Sequence, residues 1–207
     1  MRPRVRRKGD LCPTCMPRPY RRSRAKELQV AAFLYEWRGA RQIPRFVWNK
    51  QNPNADPVQC GRFRVDFVFK SPVQVVALEV DEQAHRTYDL RCELVRMAEA
   101  SLAYGGRPVH WIRYNPDSFK IDGVGRRMSQ AARMDLLKAR LMGALAQAPD
   151  YDHFLTIEFI CYDTPGRFAG LQPAGFDVGA DGEVQLIKLR DIDHFRVWCT
   201  ECGVKID

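Results

Sequence analysis

A nearly unbroken run of apolar residues, positions 73–80, constrains the fold of this chain more than any other feature. The last four residues of the run begin the stretch ALEVDEQAH. In this stretch Glu79, Asp81, Glu82 and His85 lie within seven positions. A continuous apolar run of about eight residues is typical of a central strand that is covered on both faces. Such a strand must pair with neighbouring strands, and its charged end is a natural place to look for chemistry.

Hydrophobic periodicity on either side of this run predicts an αβββαβ order of elements over residues 23–114. We expect these elements in succession: helix 23–38, strands 45–48, 61–69 and 73–80, helix 89–104 and strand 108–114. A further helix, 125–148, and two strands, 154–162 and 184–189, are predicted to follow. This order implies an α/β fold with a mixed sheet that carries helices on its faces.

The length of 207 residues suffices for one sizeable core with an appendage. We divide the chain into a basic arm at 1–22, a core at 23–120 and a C-terminal extension at 121–207. No apolar stretch reaches the roughly 18 residues that span a bilayer, and the first residues lack the apolar segment of a signal peptide. We therefore expect a soluble intracellular protein with no membrane partner, whose compartment (nuclear, cytoplasmic or viral) stays open.

Positive charge is concentrated at the beginning of the chain. Residues 1–26 contain ten of the 33 Lys and Arg residues but one acidic residue, Asp10. Arginines of this segment, such as Arg21, Arg22 and Arg24, suit the phosphates of DNA, because neutralising phosphates releases counterions. Two other interpretations are a disordered solubilising tail and an Arg-rich targeting segment.

Three carboxylates are predicted to meet near the end of the central strand. Residues two apart on a strand point the same way, so Glu79 and Asp81 share a face if the strand extends that far. Asp66 lies in the middle of the preceding predicted strand, and pairing across the turn at Pro72 brings it opposite them. Carboxylates so placed repel one another unless a cation holds them, and oxygen ligands favour Mg²⁺ or Mn²⁺. The simpler alternative is a solvated acidic strand end.

The same residues carry a resemblance to a known family. Asp66 followed by Glu79-Val80-Asp81, in αβββαβ order, resembles the PD-(D/E)XK nuclease superfamily, whose members share the restriction-endonuclease-like fold. The blocks VDFVF, EVDEQAHRTYD, CELVRM and IRYNPDSF, within residues 65–119, are similar to those of viral and algal endonuclease-like proteins with an EVDExQH segment. The resemblance implies that Asp66 and Glu79 hold a metal ion and that a metal-bound water attacks the phosphodiester.

Two departures from the family pattern bear on the mechanism. Val65 stands where the family has a Pro that is not a ligand, and Asp81 stands where it normally has the Lys that positions the attacking water. Asp81 is then a candidate third metal ligand, and the role of the Lys falls to His85, Gln83 or Lys70. We rank His85 first, because a neutral imidazole is a general base near pH 7. The alternative for His85 is a helix-entry or DNA-facing side chain.

Several arginines are candidate phosphate contacts. Arg96 lies one helical turn after Glu93, with which it can form an ion pair, and the resemblance implies that both face the site. The alternative is a surface ion pair of little energetic value. Arg113, at the end of the following strand, and Arg64, two residues before Asp66, are also assigned to DNA binding.

Four of the seven cysteines form two CxxC pairs, Cys12 with Cys15 and Cys199 with Cys202. This spacing is typical of zinc knuckles, whereas nothing around the first pair indicates a redox motif. The ends of a domain are often close together, so one structural Zn²⁺ held by all four thiolates would join the basic arm to the body. Whether both pairs share one zinc stays open at this point.

These features together predict a Mg²⁺- or Mn²⁺-dependent DNA endonuclease that hydrolyses phosphodiester bonds. The alternative is a non-catalytic nucleic-acid-binding zinc module on a degenerate nuclease fold. Cleavage that depends on Asp66 or Glu79 distinguishes the enzyme from the module. A homodimer is attractive, because one active site cuts one strand, although the sequence indicates no interface.

Overall fold

The computed structural model describes residues 25–48, 65–85, 90–164, 177–178 and 182–190. Its α-helices are α1 (Ala25–Gly39), α2 (Leu90–Leu102) and α3 (Gln130–Ala146). Its strands are β1 (Val47–Trp48), β2 (Phe67–Lys70), β3 (Val75–Val80), β4 (Val109–Tyr114), β5 (Phe119–Ile121), β6 (Val124–Arg126), β7 (Leu155–Ile160), β8 (Asp177–Val178) and β9 (Val184–Leu189). One turn of 3₁₀ helix, Glu82–His85, follows β3.

Seven of these strands form one mixed sheet, in the order β1-β2-β3-β4-β7-β9-β8. The three central strands, β3, β4 and β7, are parallel to one another, and the outer pairings are antiparallel. The connection from β3 to β4 runs through α2, as a parallel pair requires. Strands β5 and β6 pair with each other as a separate hairpin.

The α/β class and the αβββαβ order are confirmed, because the described elements from α1 to β4 follow that succession. All six residues of β3 are buried, as the continuous apolar run at its place in the sequence predicts. The two later predicted strands are confirmed as β7 and β9. Alternating burial along β9 indicates a strand with one covered face.

Two apolar clusters cover the two faces of the sheet. On one face, α2 packs against the sheet through Met97, Ala98 and Ala100, which meet Ala77 and Trp111. On the other face, α1 and α3 pack against aromatic and aliphatic strand residues: Val30, Leu34, Leu137 and Leu141 of the helices meet Phe67, Leu78 and Ile112 of the strands. The sheet is therefore a middle layer between helices, as the sequence predicts.

Two predicted boundaries are wrong. The helix predicted at 125–148 begins only at Gln130, because Ser129 caps its first turn by accepting a hydrogen bond from the Ala132 N–H. The residues before it form the β5–β6 hairpin, which the sequence analysis overlooked. In addition, Asp66 does not lie in the middle of a strand, because it precedes Phe67, the first residue of β2.

Candidate functional site

Charged residues gather where β2 begins and where β3 and β4 end. Since β3 and β4 are parallel, their final residues lie side by side, and the register pairs Glu79 with Arg113. Strand β2 runs antiparallel to β3 and pairs Phe67 with Leu78. Asp66 therefore lies next to Glu79, at the same end of the strands. The predicted meeting of Asp66 with the acidic end of β3 is therefore borne out by the strand register.

Asp66 is tied to the end of β3 by a hydrogen bond. Its Oδ2 accepts the backbone N–H of Val80 at 2.9 Å. Burial and repulsion from Glu27 raise the pKa of Asp66 to about 7, against the lowering effect of that bond. The carboxylate is thus held at a fixed place where its ionised form is poorly compensated.

Glu79 is buried and forms an ion pair with α2. Its Oε1 accepts from Nη1 of Arg96 at 2.9 Å. Burial raises the pKa of Glu79 to about 8, although Arg96 acts in the opposite direction, and repulsion from Asp66 and Asp81 adds to the rise. One arginine therefore does not offset the burial of this carboxylate and its acidic neighbours.

Asp81 is completely buried and is bound by two donors. Its Oδ2 accepts from Nε of Arg113 at 2.6 Å and from the hydroxyl of Tyr162. Burial raises the pKa of Tyr162 well above its ordinary value, and the charge of Asp81 adds to this, so the phenol stays a donor. Asp81 is thus engaged with β4 and with the segment after β7.

Helix α2 supplies further members of the cluster. Glu93 accepts from Nη2 of Arg113, and its Oε2 lies 3.6 Å from Nη2 of Arg96. The predicted pair of Glu93 with Arg96 is therefore formed, and it is buried, not exposed on the surface. Within the described residues, Nε and Nη2 of Arg96 donate no hydrogen bond, although Nη2 faces the Glu93 carboxylate. Both nitrogens are buried, so Arg96 is held inside the cluster between Glu79 and Glu93.

The predicted DNA contact by Arg113 does not suit its location. Arg113 is buried, and its side chain donates to the two carboxylates of Asp81 and Glu93. Burial by itself would lower the pKa of Arg113, yet the two acids raise it well above its ordinary value. We therefore regard Arg113 as the residue that holds these acids in place.

Sequence reasoning missed Glu27 of α1, whose charge reaches Asp66. Glu27 is buried and accepts a hydrogen bond from Nε1 of Trp48 at 3.0 Å. The sequence gives no signal that Glu27 lies near Asp66, because this proximity arises from the packing of α1 on the sheet. The described acidic cluster therefore has members at the ends of β2 and β3 and on two helices.

The 3₁₀ turn after β3 contains two residues in the left-handed region. Gln83 has φ 56° and Ala84 has φ 51°, and neither is glycine. Asp117 anchors this turn, because its Oδ2 accepts the Gln83 N–H at 2.8 Å and its Oδ1 is paired with Lys26. Burial alone would raise the pKa of Asp117, but the bond from Lys26 keeps it below its ordinary value. The turn is held in an unfavourable conformation by specific contacts.

The three residues predicted to act on the attacking water are placed differently. Gln83 is exposed beside the cluster. Lys70 lies at the far end of β2, about 13 Å along the strand from Asp66, with its Nζ 5.3 Å from the ring centre of Tyr104. The backbone of His85 completes the 3₁₀ turn, while its side chain lies outside the described part of the structure. This placement disfavours Lys70.

The predicted metal ligands differ in how well they fit a cation. Among the described residues, no three His, Cys, Asp or Glu side chains converge into a ready metal-binding group. Asp66 and Glu79 fit one better than Asp81, because their ionised forms are under-compensated, whereas Asp81 is bound by Arg113 and Tyr162. The donor set consistent with Mg²⁺ or Mn²⁺ is therefore the pair Asp66 and Glu79.

Several predicted sites lie outside the described residues. These are the zinc ligands Cys12, Cys15, Cys199 and Cys202 and the DNA-binding arginines Arg21, Arg22, Arg24 and Arg64. They stay predictions.

Comparison with known proteins does not assign the chain to a family. No protein-family model, no curated protein and no solved structure matches it. Within the described residues, no helix combines the length and apolar character needed to cross a membrane.

Proposed function

We propose that the chain is a Mg²⁺- or Mn²⁺-dependent DNA endonuclease with a restriction-endonuclease-like core. The observation that carries the proposal is the position of Asp66 and Glu79, on neighbouring strand ends of an αβββαβ core. This is the placement that the PD-(D/E)XK resemblance implies for two metal-binding acids. Both carboxylates have raised pKa values, which a divalent cation between them would lower by supplying positive charge.

In this proposal Asp66 and Glu79 hold the cation. A cation so held supplies Lewis-acid polarisation of the phosphodiester and a more acidic bound water. Arg96 positions Glu79 through its Nη1. Its other N–H groups are buried beside Glu93, so the phosphate contact expected from the sequence is not assigned to it. Asp81 and Arg113 keep α2 and the strand ends together and are not assigned to the reaction.

The water that attacks phosphorus needs a group to orient it or accept its proton. Gln83 and His85 lie on the turn that follows the acidic strand end, and both remain candidates. A glutamine side chain orients a water through hydrogen bonds, whereas a neutral imidazole also accepts its proton. Gln83→Ala and His85→Ala separate the two roles when the pH dependence of cleavage is measured for each. Loss of a proton acceptor changes the pH profile, whereas loss of an orienting group lowers the rate at every pH.

Two further parts of the proposal concern the ends of the chain. The basic residues before position 26 bind DNA phosphates, and Cys12, Cys15, Cys199 and Cys202 hold a structural Zn²⁺. A homodimer would place two active sites on the two strands of a duplex.

Cleavage of a supercoiled plasmid with Mg²⁺ or Mn²⁺ tests the proposed activity. We expect wild type to cleave and Asp66→Asn and Glu79→Gln to lose at least about 100-fold in rate, because the cation loses an anionic ligand. Asp135→Asn and Glu36→Gln are matched controls on exposed helix positions and should cleave like wild type. Cleavage that survives in both carboxylate variants would show that the activity resides elsewhere.

A non-catalytic nucleic-acid-binding module is the second candidate. The observation in its favour is Asp81, an engaged acid where the family has a catalytic lysine. On this alternative the described acidic cluster stabilises the fold and the basic arm binds DNA. Salt-sensitive DNA binding without cleavage in either metal, unchanged in Asp66→Asn, would favour the module over the enzyme.

A further inference from the structure

The β5–β6 hairpin projects from the described body with an exposed tip. It lies outside the seven-stranded sheet, and the six residues 122–127 are all exposed. Val124, with 71% of its surface accessible, is one of the two most exposed large apolar residues in the described structure. An apolar residue presented in this way at the tip of a hairpin makes no contribution to the core.

The base of the hairpin is firmly attached. Phe119 is buried, and the guanidinium of Arg133 lies 5.6 Å from the centre of its ring. Lys120 donates its N–H to Oδ1 of Asp163 at 2.8 Å, and its carbonyl accepts the N–H of Thr164 at 2.8 Å. The hairpin is therefore a rigid projection, and an element of this kind can present side chains at defined positions.

The tip of the hairpin is narrow. Asp122 and Gly123 have φ 50° and 79°, the positive values that a tight two-residue hairpin turn requires. A Cβ added to Gly123 or Gly125 would meet nothing within 4 Å, so these glycines are not needed for packing inside the protein. Gly123 serves the positive φ of the turn, and Gly125 leaves the backbone open to the approach of another molecule.

The charge of the hairpin complements a polyanion. Lys120, Arg126 and Arg127 are exposed and basic, against one acidic residue, Asp122. Glu183 partly offsets Arg126, because its Oε1 accepts from Nη2 of that arginine at 3.0 Å. No aromatic residue occurs at 120–127, so the hairpin lacks the stacking surface that single-stranded nucleic acid usually uses.

The hairpin follows β4 in the chain, at the end of the sheet where the carboxylates lie. Tyr114, the last residue of β4, pairs with Val80, whose N–H is bound by Asp66. Asp117, between β4 and the hairpin, anchors the 3₁₀ turn that contains Gln83. A duplex gripped by the hairpin would therefore pass the same edge of the molecule as the candidate site.

From these observations we infer that the β5–β6 hairpin inserts its tip into a groove of double-stranded DNA, with Val124 against the groove and Lys120 and Arg127 on the flanking phosphates. The inference rests on the proposed function, because it names how the same site receives its substrate. It makes the hairpin a positioning element for the duplex, separate from the residues that would hold the cation.

Binding of a fluorescent DNA duplex by the full chain, without Mg²⁺ or Mn²⁺ and at several salt concentrations, tests the inference. In Lys120→Gln/Arg127→Gln we expect about tenfold weaker binding and a salt slope reduced by about 1.8, because two phosphate contacts are lost. The control Arg41→Gln/Arg190→Gln removes the same charge from exposed positions outside the hairpin and should leave the slope unchanged. Thermal unfolding of both variants checks that the fold is retained.

An unchanged slope in the hairpin variant, or an equal loss in both double variants, would overturn the inference. An equal loss of affinity for single-stranded DNA of the same sequence would overturn the assignment to a groove. The Glu79→Gln variant separates this outcome from that of the proposed function, since it should bind the duplex normally and fail to cleave it. Failure of the hairpin prediction with cleavage still dependent on Glu79 would leave the nuclease proposal standing.

Discussion

Asp81 is a buried acid whose partners are other protein groups. A lysine at this position would bring a positive charge next to Glu79, whereas the aspartate brings another acid. Its burial is tolerable because Arg113 and Tyr162 both donate to Oδ2. A buried carboxylate that loses such a donor is left with part of its desolvation uncompensated.

Tyr162→Phe should therefore lower the free energy of unfolding by about 1–3 kcal/mol, because it removes the hydroxyl but keeps the ring. The measurement is urea denaturation at neutral pH. Tyr151→Phe, at an exposed position, removes the same atom without a buried partner and should change stability little. Equal stabilities of the two variants would show that the Tyr162 hydroxyl does not support Asp81.

Glu158 of β7 forms a second buried ionic group, with partners on α3 and β4, beside a cavity of about 120 Å³. Its carboxylate accepts from Nε and Nη2 of Arg140 at 3.0 and 2.8 Å and lies 3.0 Å from Nε2 of His110. Burial acts to raise its pKa, but these partners keep the pKa below the ordinary 4.5.

The lowered pKa of Glu158 predicts a loss of stability in acid. The unfolded chain takes up the proton at a higher pH than the native state, so the stabilisation is present above about pH 4.5 and is lost as the pH falls further. Wild type should thus lose more unfolding free energy than Glu158→Gln between about pH 6 and pH 3. Parallel pH profiles of the two proteins, measured by chemical denaturation, would contradict this assignment.

At the scale of elements, the 3₁₀ turn after β3 stores backbone strain. A non-glycine residue in the left-handed region costs about 1 kcal/mol relative to glycine. Gln83→Gly should therefore raise stability by about 1 kcal/mol, whereas Glu36→Gly, at an exposed position in α1, should lower it by about the same amount. Thermal unfolding measures both changes, and a loss of stability in Gln83→Gly would argue against strain at this turn.

The same variant also bears on the role of the Gln83 side chain. If that side chain orients the attacking water, Gln83→Gly should be more stable but slower in plasmid cleavage. A variant that is more stable and equally active would leave His85 as the remaining candidate on this turn.

Some elements were predictable because their signal is local. The apolar run of β3 and the apolar stripes of α1 and α2 reflect burial that the sequence records directly. The hairpin also had a local signal, Asp122-Gly123, which favours a tight turn. It was overlooked because the apolar residues of α3 recur at helical spacing, and the predicted helix was started too early, at Gly125. The helix in fact needed a cap, and Ser129 provides it.

The candidate site was predictable only in part. Strand pairing follows from adjacency, so the meeting of Asp66 with the end of β3 could be inferred. The partners of Asp81 could not be inferred from the sequence. Tyr162 is distant in sequence, and the pairing of β7 with β4 places it beside Asp81. The same reasoning applies to Glu27, which approaches Asp66 through helix packing.

At the scale of the whole molecule, the fold separates a stable centre from a charged edge. The parallel strands β3, β4 and β7 are buried between helices and hold the ends of three strands in register. The acids at that edge lower stability through their mutual repulsion, which the hydrophobic centre offsets. A ligand that relieves the repulsion should therefore stabilise the entire chain.

Binding of Mg²⁺ should accordingly raise the melting temperature of wild type. A concentration of about 100 times the dissociation constant adds roughly 2.7 kcal/mol, which corresponds to about 5–10 °C for a chain of this size. Glu79→Gln should show a much smaller shift, because it removes one charge of the donor pair and with it most of the attraction for the cation. Asp135→Asn, an exposed substitution of equal charge change, should respond like wild type.

The comparison is best made by calorimetry in metal-free buffer to which Mg²⁺ is added, so that a structural Zn²⁺ held by the cysteines is not removed by a chelator. Equal shifts in wild type and Glu79→Gln would place the cation away from the end of β3. In that case the raised pKa of Glu79 would reflect only its burial and the repulsion from Asp66 and Asp81, and the acidic cluster would be a structural feature of the fold.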